Sequence, residues 1–98
     1  IDIEVLDLIS ISPWDRDAVF NSVSRTHRLV VAHEAVKQCG IGAEIVASVC
    51  EEIMDELDGP VQRVGAPFVP IPFSMEQSYL PNASDVVGAV KRALDRSF

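Results

Sequence analysis

The residues best suited to chemistry stand in the first half of the chain, where His33 and Glu34 are adjacent and Gly40-Ile41-Gly42 follows. A histidine beside a carboxylate can exchange protons near neutral pH or help to bind a metal. No further ligand stands at a useful metal spacing from the pair. The preferred reading is structural, with one residue orienting the loop and the other capping the next helix. Two glycines before a helix suggest a phosphate cradle, but the third glycine of a dinucleotide fingerprint is absent, so a tight turn is expected. The two cysteines, Cys39 and Cys50, lack metal spacing, and both read as reduced thiols. No serine or cysteine has a nucleophile elbow around it, and no paired carboxylates stand on strand ends. Asn82-Ala83-Ser84 matches a glycosylation acceptor, but with no signal peptide opening the chain a helix cap is the better reading. Between Glu44 and Asp58 stand six acids and no base. Such a run is a solvated face or a surface for a basic partner.

The elements that would position these groups follow from hydrophobic periodicity. Ile3 to Leu8 alternates loosely between apolar and acidic residues, which predicts a strand at a sheet edge. Ser12, Pro13 and Asp15 predict a helix start with Ser12 as N-cap, and Trp14, Ala18, Val19 and Val23 facing inward to about Ser24. Leu29 to Ala32 is an unbroken apolar run, as in a strand covered on both faces. Ile45, Val46, Val49, Cys50, Ile53, Met54 and Leu57 recur at helical spacing, with acids opposite. Gly59-Pro60 is expected to end that helix, and Val61 to Val64 to form a third strand. The proline-rich stretch from Ala66 to Pro81, with Phe68, Phe73 and Tyr79, is expected to be an extended loop that covers the sheet or meets a partner. Asn82 or Ser84 then caps a last helix through Val86, Val87, Val90 and Leu94, with Lys91, Arg92 and Arg96 near its negative end. Alternating strands and helices imply a parallel α/β order. The expected strands lie near 3–8, 28–33 and 61–64, and the expected helices near 15–24, 42–57 and 84–96.

Composition bounds the function. With 98 residues, 48% of them hydrophobic, the chain fits one globular domain at most. Eight basic residues against fifteen acidic give a net charge of −7. That argues against nucleic acid, whose phosphates need a basic face. No apolar run approaches the roughly 20 residues that span a bilayer, so no membrane partner is expected.

Several segments in order resemble one family. Glu4-Val5-Leu6-Asp7-Leu8, Ile11-Ser12-Pro13-Trp14-Asp15, Arg28-Leu29-Val30-Val31-Ala32-His33-Glu34-Ala35 and Gly40-Ile41-Gly42-Ala43-Glu44-Ile45 are similar to the carboxyl-terminal domain of the β subunit of thiamine-diphosphate-dependent 2-oxo acid dehydrogenases. Pro60-Val61-Gln62-Arg63-Val64, Val69-Pro70-Ile71-Pro72-Phe73 and Leu80-Pro81 continue the match. The resemblance implies a three-layer α/β/α fold with a mainly parallel sheet, like the transketolase carboxyl-terminal domain. Residues 1–98 would be part of that domain, lacking its first strand–helix unit, whose strand lies mid-sheet between those matching Ile3–Leu8 and Leu29–Ala32. Trp14 after Pro13, Cys39 before Gly40 and the short stretch from Phe73 to Pro81 look most like the branched-chain type, with pyruvate and acetoin enzymes as alternatives. Phe68 departs from the family, where an acid often precedes Val-Pro-x-Pro.

The resemblance also implies what the chain does not supply. The family's catalytic residues, thiamine diphosphate and magnesium belong to the α subunit and to the amino-terminal domain of the β subunit. No catalytic, cofactor-binding or metal residue is therefore assigned here, and the chain alone is not expected to be an enzyme. The implied partners are the α subunit, a second β subunit and the binding domain of the acyltransferase core. In some members docking uses an acid just before the third strand together with the terminal carboxylate, positions that match Asp58 and Phe98. The implied compartment is bacterial cytoplasm or mitochondrial matrix. The competing expectation is a free-standing small-molecule-binding module, with a ligand at His33, Glu34 and the Gly40–Gly42 turn.

Overall fold

A computed structural model of the chain describes residues 1–67, 69, 74, 78 and 80–98. Phe68, Phe73, Tyr79 and most of the expected proline-rich loop lie outside the described residues. The element order is α1 (Arg16–Thr26), β1 (Val30–Val36), α2 (Ile41–Ile53), a 3-10 turn (Met54–Glu56), β2 (Gln62–Ala66) and α3 (Ala83–Asp95).

β1 and β2 pair in parallel, with Val30 opposite Gln62, Val31 opposite Arg63 and Ala32 opposite Val64. A parallel pair needs a crossover, and α2 supplies it. The pleat assigns the helices to faces, because successive side chains point to opposite sides of a sheet. Val31 and Val61 pack onto the core cluster of Val19, Val23, Ile45, Val49 and Leu57, which belongs to α1, α2 and the turn after it. Val64 and Ala66 stand on the opposite face of β2 and are buried, as are Ala89 and Ala93 of α3. From that same face Gln62 accepts a hydrogen bond from Arg92 of α3 at 3.3 Å. The described residues thus form three layers, α1 and α2 on one side of a small parallel sheet and α3 on the other.

The first helix starts later than expected. Asp15, not Ser12, is its N-cap and accepts a hydrogen bond from the Ala18 amide at 3.0 Å. Both residue types cap well, and Asp15 is the one at the right offset from the first unpaired amides. Val19 and Val23 are buried while Trp14 and Ala18 are half-buried. Arg16 lies 5.2 Å from the Trp14 ring centroid and 5.3 Å from that of Phe20, and also reaches Ser48 of α2 at 3.4 Å. Its guanidinium covers the two rings on the outside of the α1–α2 contact.

Ile3–Leu8 forms no strand ladder among the described residues, so the sheet has two strands where the alternating pattern predicted three. Side-chain periodicity specifies which face a strand would present, but a ladder also needs a neighbour to receive its hydrogen bonds. The segment is held instead by Glu4 pairing with Arg25 at 2.6 Å and by Leu8 tucked against the core. Its other apolar side chains are exposed, Ile3 by 59% and Val5 by 86%. Nor is β1 covered on both faces as expected. Val30 and Val31 are only half-buried and Ala32 is exposed.

The long helix also ends differently. α2 stops at Ile53 and tightens into the 3-10 turn before Leu57, which is extended and buried. Gly59 does not take the left-handed conformation of a helix-ending glycine. Its lack of a side chain serves a close approach instead, described below. α3 has a full capping box, in which the Asn82 side chain accepts from the Asp85 amide and the Asp85 carboxylate accepts from the Asn82 amide.

Candidate functional site

The two places singled out by sequence behave oppositely in the fold. At the first, β1 advances four residues from Ala32 to Val36 while β2 advances two, from Val64 to Ala66. The surplus residues make a bulge, a device that re-aims side chains at a strand's end. His33 lies in this bulge, and its Nδ1 donates to the Ala35 carbonyl at 3.0 Å. The ring then settles over three glycines. A Cβ built on Gly40 would lie 2.9 Å from the imidazole, one on Gly42 would lie 2.8 Å from Nε2, and one on Gly65 would lie 3.1 Å from Cε1. The histidine is the nearest group at Gly42, while at Gly40 the Val36 carbonyl oxygen, 2.5 Å from such a Cβ, and at Gly65 the backbone of Ala35 and Lys37 crowd the position together with the ring.

This arrangement answers the expectations at that turn. His33 orients the loop between β1 and α2, as its structural reading requires. Glu34 is exposed and does not cap α2, whose N-cap is Gly40 without any side-chain hydrogen bond. Among the described residues His33 and Glu34 share neither a hydrogen bond nor an ion pair. A phosphate set against Gly40 and Gly42 would have to displace the imidazole. An open cleft of ≈ 580 Å³ lies further along the carboxyl edge of the sheet, lined by Lys37, Gln38, Cys39, Arg63, Gly65, Ala66 and Pro67, and neither His33 nor Glu34 borders it. Among the described residues, no three of the types His, Cys, Asp and Glu are grouped to hold a metal. With the imidazole over Gly40 and Gly42, the glycine turn has no room for a phosphate.

At the second place the fold assembles what the sequence kept apart. Asp58 and Phe98 are 40 positions distant, yet the Phe98 amide donates to the Asp58 carbonyl at 2.8 Å. The Asp58 amide in turn donates to the His27 carbonyl, also at 2.8 Å. His27 ends α1 in the left-handed conformation, with its own amide donating back to the Val23 carbonyl. Its Nδ1 donates to the Glu56 carbonyl at 2.7 Å. The next residue, Arg28, sends its guanidinium to the end of α3, donating to the Ala93 carbonyl, to the Arg96 carbonyl at 2.5 Å and to Ser97 Oγ at 3.0 Å. A Cβ on Gly59 would collide with the Arg96 carbonyl oxygen and come within 2.8 Å of that guanidinium. Gly59 is a glycine so that α3's end can lie against the turn.

The outcome is an exposed corner. Asp58 is exposed and so is Phe98, by 70%. Asp55 is exposed as well, Glu56 is half-buried, and both belong to the 3-10 turn that leads into the corner. The contribution of His27, Arg28 and Gly59 was not read from the sequence. Arg28 opens a run noted there for its apolar residues and as a family motif, with no role given to the arginine, and its acceptors lie 65 to 69 positions further along the chain.

Fold and site together define a parallel three-layer α/β domain whose carboxyl-terminal helix is fastened at an acidic surface corner. The chain belongs to the transketolase C-terminal domain family, whose model matches residues 1–86. It is similar to the β subunit of the pyruvate dehydrogenase E1 component of Porphyra purpurea, with 42% identity over 98 residues, covering 98% of this chain and 30% of that protein. It is also 42% identical over 96 residues to the β subunit of the acetoin:2,6-dichlorophenolindophenol oxidoreductase of Bacillus subtilis, covering 96% of this chain and 28% of that one. The 2-oxoisovalerate dehydrogenase subunit beta of Pseudomonas aeruginosa is 38% identical over 95 residues, covering 97% and 27% respectively. The chain spans less than a third of the length of these relatives. The resemblance read from the motifs is thereby established at the level of family and of β-subunit relatives. Another such relative, from Pisum sativum, is mitochondrial by name. No helix among the described residues is long and apolar enough to cross a membrane.

Proposed function

We propose that this chain is the assembly and docking part of the β subunit of a 2-oxo acid dehydrogenase, the decarboxylating component of a multienzyme complex. The family and the named relatives support the parent enzyme. In that enzyme thiamine diphosphate and magnesium would supply the decarboxylation chemistry, held by the α subunit and by the amino-terminal domain of the β subunit. The expected compartments are bacterial cytoplasm or mitochondrial matrix.

The observation that carries the docking role is the joining of Asp58 to Phe98. Two positions matched to the dock from sequence are fastened side by side, exposed, at the end of a helix whose last turns hold only acids among their charged residues. Acids at the negative end of a helix cost stability, and a cationic partner offsets that cost. The partner is the binding domain of the acyltransferase core, presenting Arg or Lys to Asp58. The exposed apolar residues Ile3, Val5, Ile9 and Ile11 support the assembly role, offering a surface to the α subunit or a second β subunit.

The substrate is a 2-oxo acid. Trp14 after Pro13 and Cys39 before Gly40 favour the branched-chain class, whereas the relatives named for pyruvate and acetoin are the more similar, at 42% against 38%. Turnover of the intact enzyme with branched-chain 2-oxo acids, pyruvate and acetoin separates them. Docking is tested by measuring acyltransferase binding to the intact enzyme for wild type, Asp58→Ala and a variant lacking Ser97 and Phe98. Loss of one member of a desolvated charge pair weakens binding by about 2–5 kcal/mol, mostly through faster dissociation. Unchanged affinity and salt dependence in both variants would remove the corner as the dock.

A further inference from the structure

We propose that Arg28 is a positioning residue for the docking corner, holding the end of α3 where Phe98 meets Asp58. The inference rests on the docking role of that corner and adds the device that shapes it.

A helix ends with four carbonyls that lack partners within the helix, and the segment beyond it is free to fray unless something holds them. At the end of α3 two of those carbonyls, of Ala93 and Arg96, accept from Arg28. Its guanidinium donates to the carbonyls of Ala93 and Arg96 and to the Ser97 hydroxyl, so one side chain spans the last turn and the residue after it. Its charge also sits at the negative end of the α3 dipole. Two residues beyond Arg96, the Phe98 amide reaches the Asp58 carbonyl. Asp58 is itself held by the carbonyl of His27, the residue before Arg28. A single dipeptide at the α1–β1 junction therefore fixes both halves of the corner, His27 through its backbone and Arg28 through its side chain.

Neither the acid nor the tail is placed by its own local structure. Asp58 lies outside α2 and its 3-10 turn, and Phe98 lies beyond α3. Without Arg28 the tail would lose its anchors at Arg96 and Ser97, and Phe98 would be left with one backbone hydrogen bond to a surface turn. Lysine would keep the charge but present a single ammonium in place of a rigid fork of donors, so it cannot serve carbonyls and hydroxyl together. Gly59 completes the arrangement by leaving room for the Arg96 carbonyl and for the guanidinium.

The test uses the intact enzyme and the binding domain of its acyltransferase, with binding kinetics, melting temperature and turnover on an artificial electron acceptor measured for each variant. Arg28→Met should weaken binding about tenfold through faster dissociation, the equivalent of one charge-assisted hydrogen bond, while turnover stays unchanged. Arg28→Lys should fall between Arg28→Met and wild type. A corner acting as a unit predicts that Arg28→Met combined with removal of Ser97 and Phe98 costs no more binding than that removal alone, because the arginine acts only through the tail. A purely structural role predicts additive losses that follow melting temperature, and that result would overturn the proposal. Weaker binding in Asp58→Ala with none in Arg28→Met or Arg28→Lys would keep the dock and discard Arg28. Unchanged binding in Asp58→Ala and in the shortened tail would discard the dock, and Arg28's role with it. Where Arg28→Met fails to fold, Arg28→Lys and Ser97→Ala carry the same comparison.

Discussion

If His33 fills the space over the glycines, then giving Gly42 a side chain and taking the imidazole away must compensate one another. A Cβ on Gly42 would lie 2.8 Å from His33 Nε2, 3.0 Å from Cδ2 and 3.1 Å from a Val31 methyl. Carbon atoms in contact prefer roughly 3.5–4.0 Å, so ring and helix would each have to yield by several tenths of an ångström. The buried position of Gly42 leaves the ring little freedom to swing aside. Overpacking of this kind costs about 1–3 kcal/mol. Against it stands the gain of about 0.5–1 kcal/mol from alanine over glycine within a helix. Gly42→Ala should therefore destabilise the chain by about 1–2 kcal/mol net of that gain. His33→Ala alone loses the ring's packing and its hydrogen bond to Ala35. In the His33→Ala, Gly42→Ala double variant the closest two of the three contacts vanish, and the sum of the single effects should exceed the double effect by about 1–2 kcal/mol. Urea unfolding followed by fluorescence of Trp14, the chain's single tryptophan, measures all four corners of the cycle. Strict additivity would mean that the imidazole does not occupy the glycine turn. The turn would then be open to a phosphate after all.

Three further outcomes test the rest of the fold. Gly88→Ala on α3, where among the described residues a Cβ would meet only Arg92 Nη1 at 3.4 Å, should raise stability by about 0.5–1 kcal/mol in the same assay, the opposite sign from Gly42→Ala. Asn82→Ala breaks the capping box and should cost about 1 kcal/mol, with loss of helical circular dichroism on warming seen first in α3. Val49→Ala opens a cavity at a fully buried position of the α1–α2 core and should cost about 2–3 kcal/mol, lowering the urea midpoint with little change in slope.

Much of this protein was legible in its sequence, and the exceptions share a cause. Helical spacing from Ile45 to Leu57 placed α2 though not its end, the apolar run at Leu29–Ala32 marked β1, and the alternative caps Asn82 and Ser84 announced α3, because each signal lies within a few residues of the structure it specifies. Motifs spread in order along the chain gave the family, and position within them picked out Asp58 and Phe98. What the sequence left open depends on contacts between distant residues. The alternation of Ile3–Leu8 describes a side-chain pattern, while a ladder requires a neighbouring strand, and among the described residues none pairs there. Gly40-Ile41-Gly42 reads as a cradle or a turn until the bulge in β1 is seen to bring His33 onto it. Gly59 reads as a helix stop, yet its reason is the carbonyl of Arg96, 37 residues later in the chain. Arg28 carries no local signal at all, since its acceptors are backbone carbonyls and a hydroxyl that any sequence could place there. Local pattern placed most of the elements, and the family resemblance supplied the corner's two candidate residues; tertiary packing decided which groups hold that corner together, because backbone acceptors become specific only once the fold has brought them within reach of a donor.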